Sequence, residues 1–271
     1  MTGVPVPPGT SGSVLVVGGS SGIGLATALL LAEAGRRVLV AARGGERLAE
    51  VAEIAERKKL PLETRVVDVR SERSVDALFA ALDEAGEPVT ACVNTAGRNL
   101  SRRLLVPPGD DGGQWLAHSE RDWQDTLDLN LTGTFRVARA AALLFARQRR
   151  GGVIVTVASS TWRGSWGQPA YAAAKAGIVS LTRSLALELA DHGIRVVCVA
   201  PGVIDGAALR DKCARKPAHA AHMARLRERI PLRRFATESE VARTIVHAID
   251  NEYLTGNVLE VDGGGFPGRI A

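Results

Sequence analysis

Seven short apolar runs recur along the chain, each separated from the next by a longer stretch with helical patterning. This alternation leaves few folds open. The runs are VLVVG (14–18), RVLVA (37–41), ETRVVD (63–68), TACVN (90–94), GVIVTVA (152–158), IRVVCVA (194–200) and NVLEVD (257–262). Their near-continuous Val, Ile and Leu content predicts strands covered on both faces. Helical patterns fall near 22–34, 46–58, 71–85, 119–148, 169–190 and 237–250, with Gly35 and Gly193 as stop signals after two of them. Such alternation predicts an α/β fold, a doubly wound parallel sheet of about seven strands with helices on both faces. It is expected to form one unit over residues 13–271, preceded by a loose Pro-, Gly- and Ser-rich arm over residues 1–12. Two segments fall outside the rhythm, 98–118 with its PPGDDGG run and 203–235. Long excursions after the carboxyl ends of strands are where such folds build substrate sites.

The first predicted strand runs directly into GGSSGIG, with Gly18, Gly22 and Gly24 spaced G-x-x-x-G-x-G and Ser20, Ser21 and Ile23 between them. Glycines here permit a tight turn, close approach of the backbone to a pyrophosphate and close packing of helix on strand. The following helix then points its free N–H groups at the phosphates. An ordinary tight turn would use glycine too, but the first βα junction of an alternating chain is where a dinucleotide binds. At the end of the second strand, an acidic residue would favour NAD through the ribose hydroxyls. This chain has Ala42 and then Arg43, and an arginine suits the additional phosphate of NADP. NADP is therefore the expected cofactor, ahead of NAD.

A second motif is YAAAK, which places Tyr171 and Lys175 one helical turn apart on one face. A free phenol has a pKa near ~10 and is a poor acid or base at neutral pH. A neighbouring cation favours the phenolate and is expected to lower that value. The plain alternative is a half-buried tyrosine beside a solvent lysine.

Taken in order, GGSSGIG, NTAG at 94–97, Asn130 in LDLNLTGTF, Ser159 in TVASS, Tyr171 and Lys175 in YAAAK, PGVI at 201–204 and YLTGNVLEVDGG resemble the short-chain dehydrogenase/reductase family over nearly the whole chain. The resemblance implies that Tyr171 is the general acid/base, giving its proton to a substrate carbonyl oxygen as hydride arrives from the nicotinamide. It implies that Ser159 orients that oxygen, with Ser160 as a rival for the role. Lys175 would lower the Tyr171 pKa and bind the nicotinamide ribose, and Asn130 would complete a proton relay through water. It further implies that Asp68 and Val69 flank the adenine and that Asn94, Ala96 and Gly97 shape the cofactor floor. Pro201, Gly202 and Ile204 would border the nicotinamide.

Four departures from the family pattern stand out. Val17 replaces the usual threonine before the first glycine, and Gly206 stands where a threonine often holds the carboxamide. The Ser159–Tyr171 stretch is slightly short, and the segment from Gly97 to Asn130 is long, suggesting a lid or an oligomer contact. For the substrate, Trp162, Trp166, Trp115, Met223 and Leu226 are candidates for an apolar wall. Arg98, Arg102 and Arg103 are candidates for recognising a carboxylate, a phosphate or an acidic carrier, although solvated loop arginines are the plainer account.

Composition narrows the classes. The 271 residues carry a net charge of +5, but most arginines are dispersed and no basic-aromatic run points to nucleic acid. Arg147, Arg149 and Arg150 cluster where a helix should end and complement its dipole. Cys92, Cys198 and Cys213 are too few and too widely spaced for a disulfide framework, which suggests the cytoplasm. No leader or membrane span is expected, and His219 and His222 lack a third partner for a metal. The expectation is an NADP-preferring oxidoreductase that interconverts a ketone and a secondary alcohol, acting on a small molecule as a homodimer or homotetramer. The rivals are a β-ketoacyl thioester reductase and a non-catalytic cofactor-binding regulator.

Overall fold

A computed structural model describes residues 12–100, 102–108 and 113–265. The arm expected over residues 1–12 lies outside the described residues except for Gly12, as do residues 109–112 of the PPGDDGG run. Strands β1 (Ser13–Val17), β2 (Val38–Ala42), β3 (Leu62–Val66) and β4 (Val89–Asn94) alternate with helices α1 (Gly22–Glu33), α2 (Gly45–Lys58) and α3 (Glu72–Glu84). A short antiparallel hairpin, β5 (Leu105–Val106) and β6 (Leu116–Ala117), then interrupts the rhythm. It resumes with α4 (Glu120–Leu127), α5 (Gly133–Gln148), β7 (Gly152–Val157), α6 (Pro169–Leu189) and β8 (Ile194–Pro201). The chain continues through α7 (Ala207–Arg215), α8 (Pro217–Arg229), α9 (Glu238–Asp250) and β9 (Val258–Val261).

Seven strands pair in parallel in the order β3-β2-β1-β4-β7-β8-β9. Alternate side chains point to opposite faces, as a pleated strand requires. Val14 and Val16 of β1 join a core with α1, α2 and α9, while Leu15 and Val17 join the core beneath α3 and α5. The chain first runs outward from β1 to β3 and then returns to the other side of β1 for β4. That reversal opens a crevice at the carboxyl ends of β1 and β4, where ligands bind in open α/β sheets.

The stretch expected as one helix over 119–148 is α4 and α5 joined by a wide π-type turn at Asp128–Thr132. The excursion over 203–235 supplies α7 and α8. No helix among the described residues is long and apolar enough to cross a membrane.

Candidate active site

At the crevice, the glycine turn is clamped from below by the end of β4. Thr95 donates its backbone N–H (2.8 Å) and its hydroxyl (3.0 Å) to the Val17 carbonyl. A Cβ on Gly18, whose φ is +81°, would lie 2.6 Å from the Ala96 nitrogen. One on Gly24 would lie 2.4 Å from Thr95 Oγ1 and 2.5 Å from the Gly18 carbonyl oxygen. Both positions therefore exclude a side chain. Ser21 is the N-cap of α1, yet its side chain makes no capping bond. The first N–H groups of α1 are left to an outside acceptor, and a cradle with free helix N–H groups fits a pyrophosphate. Asn94 holds the floor by accepting from the Ala96 N–H (3.1 Å) and donating to Thr134 Oγ1 (3.1 Å).

Farther along the strand ends lie Arg43 and Asp68. Burial alone would raise the Asp68 pKa, but hydrogen bonds from Arg70, with the Arg70 and Arg43 charges, bring it below the ordinary value. Arg43 is exposed and makes no hydrogen bond or ion pair among the described residues. Its guanidinium is therefore free for an anionic ligand. Val69 is buried, and a Cβ on Gly133 would meet its Cγ2 at 2.9 Å. Pro201 ends β8 against Val261. Gly202 lies so close to Asp262 that a Cβ would come within 2.8 Å of its Cα, and Ile204 bridges Ala236.

The wide turn between α4 and α5 is built around Asn130. This fully buried side chain donates to the Thr126 (2.9 Å) and Arg98 (3.1 Å) carbonyls and accepts from the Arg98 N–H (3.1 Å). Gly97 separates Asn130 from Lys175, since a Cβ there would lie 2.7 Å from Asn130 Oδ1 and 3.5 Å from Lys175 Nζ. Asn130 and Lys175 thus approach one another across a glycine.

Pro169 starts α6, which carries Tyr171 and Lys175. Lys175 is buried, donates to the Val157 carbonyl (2.8 Å), and lies 5.4 Å from the centroid of the Tyr171 ring. Ser159 caps the short 3-10 turn Ser160–Arg163 by accepting from the Thr161 N–H (3.3 Å). Its hydroxyl also acts as a hydrogen-bond partner of Tyr171. Ser160 is buried within the turn, while Ser159 is partly exposed at its start.

The expected lowering of the Tyr171 pKa by Lys175 is not what the structure shows. Burial pushes the phenol up to about 12, against the opposing pull of the Ser159 hydroxyl. Burial also pushes Lys175 down to about 8. The reason is geometric: the ammonium bonds the Val157 carbonyl, and desolvation dominates at the phenol.

The substrate candidates separate. Trp162 donates its indole N–H to Glu260 (3.2 Å) under a stacked Arg163, which makes it a packing residue at the sheet edge. Leu226 is buried. Trp166 lies 54 % exposed with the Arg103 guanidinium 4.4 Å above its ring. These two residues, with Leu104, Leu105 and Pro169, line a cavity of about 370 Å³ at the start of α6. Arg102 is instead paired with Asp122 (3.3 Å). A hydrogen bond of 2.7 Å from Asn99 to Gln168 fastens the excursion to the segment leading into α6. Trp115 is exposed beside β6. Thr95 was not singled out from the sequence, although its place inside NTAG is the signal that could have found it.

A doubly wound sheet with a glycine cradle at its switch point, and buried Asn130 and Lys175 beside partly buried Tyr171 and Ser159, fits an oxidoreductase that works with a nicotinamide dinucleotide. Comparison with known proteins agrees. A family model described as enoyl-(acyl carrier protein) reductase matches residues 17–265. The 3-oxoacyl-[acyl-carrier-protein] reductase FabG of Aquifex aeolicus is 33% identical, over 93% of this chain and 96% of that protein. The 3-oxoacyl-[acyl-carrier-protein] reductase MabA of Mycobacterium tuberculosis is 35% identical, over 95% of this chain and 94% of that protein. A variant of actinorhodin polyketide ketoreductase, solved with NADPH, superposes with a TM-score of 0.81 at 32% identity, covering 94% of this chain and 97% of that one. The chain belongs to the short-chain dehydrogenase/reductase family.

Proposed function

We propose that this protein is an NADP-preferring reductase that interconverts a ketone and a secondary alcohol, with 3-oxoacyl thioesters as the favoured substrate class. The observation that carries the reading is the Ser159 hydroxyl as hydrogen-bond partner of Tyr171, whose ring lies under the Lys175 ammonium. When bound, a nicotinamide dinucleotide supplies hydride, or accepts it in the reverse direction. Gly18 to Gly24 and the start of α1 would hold its pyrophosphate, and Arg43 the additional phosphate. Asp68, Val69, Asn94, Ala96 and Gly97 would border its adenosine half and floor, with Pro201, Gly202 and Ile204 at the nicotinamide end.

The protein's own residues handle the proton. A phenol pushed up to about 12 stays protonated at neutral pH, as a proton donor to a carbonyl oxygen must. Ser159 donates a hydrogen bond to the same oxygen and fixes its position. Lys175, with its pKa near 8, remains mostly cationic at pH 7 and stabilises the negative charge left on the tyrosine as the proton leaves. Asn130, across Gly97, would join Lys175 in a proton relay through water. This intact set also argues against a regulator without turnover.

The thioester class rests on the FabG and MabA relatives and on the Arg103–Trp166 cavity, which offers one cation beside apolar surface. Exposed Phe135 and Leu143 on α5 support a homodimer or homotetramer. An assay of NADPH oxidation with an acetoacetyl thioester, a simple ketone and a crotonyl thioester tests the function. Turnover of the first two supports it, while turnover of the crotonyl thioester alone would reassign the protein as an enoyl reductase.

A further inference from the structure

Three helix N-termini meet at one point in the crevice. Gly22 begins α1, Gly206 is the N-cap of α7 and Glu238 begins α9. The main chain brings the last two together, for Ile204 bridges Ala236 and the Asp205 N–H bonds the Ala236 carbonyl at 2.9 Å. One atom marks the meeting place. A Cβ on Gly206 would lie 2.7 Å from Glu238 Oε1, and a Cβ on Gly22 would lie 3.7 Å from the same oxygen. The carboxylate therefore fills the space that a side chain at Gly206 would need, and it reaches the second glycine of the turn.

Glu238 differs from its neighbour Glu240 in one respect. Glu240 accepts from Arg234 (2.6 and 2.9 Å) and from the Thr237 N–H (2.8 Å). Glu238 makes no hydrogen bond or ion pair among the described residues. Its carboxylate instead faces the partial positive charges of the helix ends. Phosphate groups draw on those same partial charges, and two anions in one place repel.

We propose that Glu238 sets the affinity for the dinucleotide: its carboxylate sits between the pyrophosphate cradle at Gly22 and the nicotinamide side at Gly206, and swings out when the dinucleotide binds. The displaced group is the far end of a flexible side chain, so the opposition is electrostatic and not steric. The inference rests on the dinucleotide reading above.

The test is a titration of wild type, Glu238→Gln and Glu238→Asp with NADPH, followed by nicotinamide fluorescence, and with ADP-ribose, followed by calorimetry. ADP-ribose carries the pyrophosphate without the nicotinamide. Glu238→Gln is expected to bind both ligands about five- to tenfold more tightly. Glu238→Asp keeps a charge on the first turn of α9 but withdraws it from Gly206, and is expected to show part of that gain. Affinities within twofold of wild type would overturn the proposal. Weaker binding would also overturn it and make Glu238 a ligand of the dinucleotide. Wild type that binds neither NADPH nor ADP-ribose would remove the dinucleotide reading itself, whereas tight wild-type binding with unchanged variants removes only the role of Glu238.

Discussion

Lys175 Nζ lies 5.4 Å from the centre of the Tyr171 ring, while its 2.8 Å hydrogen bond goes to the Val157 carbonyl. The two side chains are thus held as neighbours by the fold, and not by a direct bond between their polar atoms. Each is held away from its ordinary titration range by burial, in opposite directions.

The lysine makes stability depend on pH. In the unfolded chain Lys175 titrates near the ordinary lysine value of 10.5, and in the folded protein near 8. Below about pH 8 both states carry the proton, and the cost of burying the cation is fully present. Between about 8 and 10.5 the unfolded state binds more protons, so this lysine's contribution to stability rises with pH. Denaturant unfolding of wild type and Lys175→Met at pH 7 and 9.5 is expected to show wild type gaining on the variant by about 1–2 kcal/mol at the higher pH. A constant difference would show that the lysine does not titrate in this range.

Cofactor choice is expected to turn on Arg43. Its guanidinium is exposed, with no hydrogen-bond partner among the described residues, and lies within electrostatic reach of Asp68 beyond the strand ends. A charge-assisted bond to the additional phosphate contributes roughly 1.5–3 kcal/mol. Arg43→Ala should therefore weaken NADPH binding at least tenfold and leave NADH within about twofold. Equal losses for both dinucleotides would place Arg43 elsewhere on the cofactor.

Substrate recognition should separate two adjacent arginines. Arg103 stacks on Trp166 at the cavity, whereas Arg102 faces Asp122. Arg103→Ala is expected to raise KM for an acetoacetyl thioester about fivefold or more, with little effect on a small uncharged ketone. Arg102→Ala should change either value less than twofold. Steady-state kinetics on both substrates checks this, and a reversed order would relocate the thioester path.

The central strands were legible because they are apolar throughout, and helices such as α2, α3 and α9 because they carry a 3.6-residue stripe; the edge strand β3, with exposed Glu63 and Arg65, departs from the expectation of strands covered on both faces. Gly18, Gly24 and Gly97 were legible as a pattern, and the structure adds the atoms that forbid a side chain at each. Other features have no local signature. The wide turn at Asn130 depends on bonds to Arg98, 32 residues away, so the 119–148 stretch reads as a single helix. The β5–β6 hairpin pairs two-residue strands, too short for any alternation to show. Trp162 and Trp166 are four residues apart and look alike in sequence, yet Glu260 on β9 takes one and leaves the other at the cavity. Glu238 reads as an ordinary first-turn acid, and only the approach of Gly206 and Gly22 gives it a further meaning. The rise of the Tyr171 pKa has no sequence signature, because a one-turn spacing reports nearness but says nothing about desolvation.

The central claim is that Tyr171 gives the proton to a carbonyl oxygen in a dinucleotide-dependent reduction. The most direct test compares wild type and Tyr171→Phe for NADPH binding and for single-turnover reduction of an acetoacetyl thioester. The account predicts NADPH affinity within a fewfold of wild type and a rate of reduction lower by roughly 10²–10⁴. Reduction by the variant at the wild-type rate would contradict the assignment of Tyr171, and failure of the wild-type protein to bind NADPH or NADH would contradict the whole account.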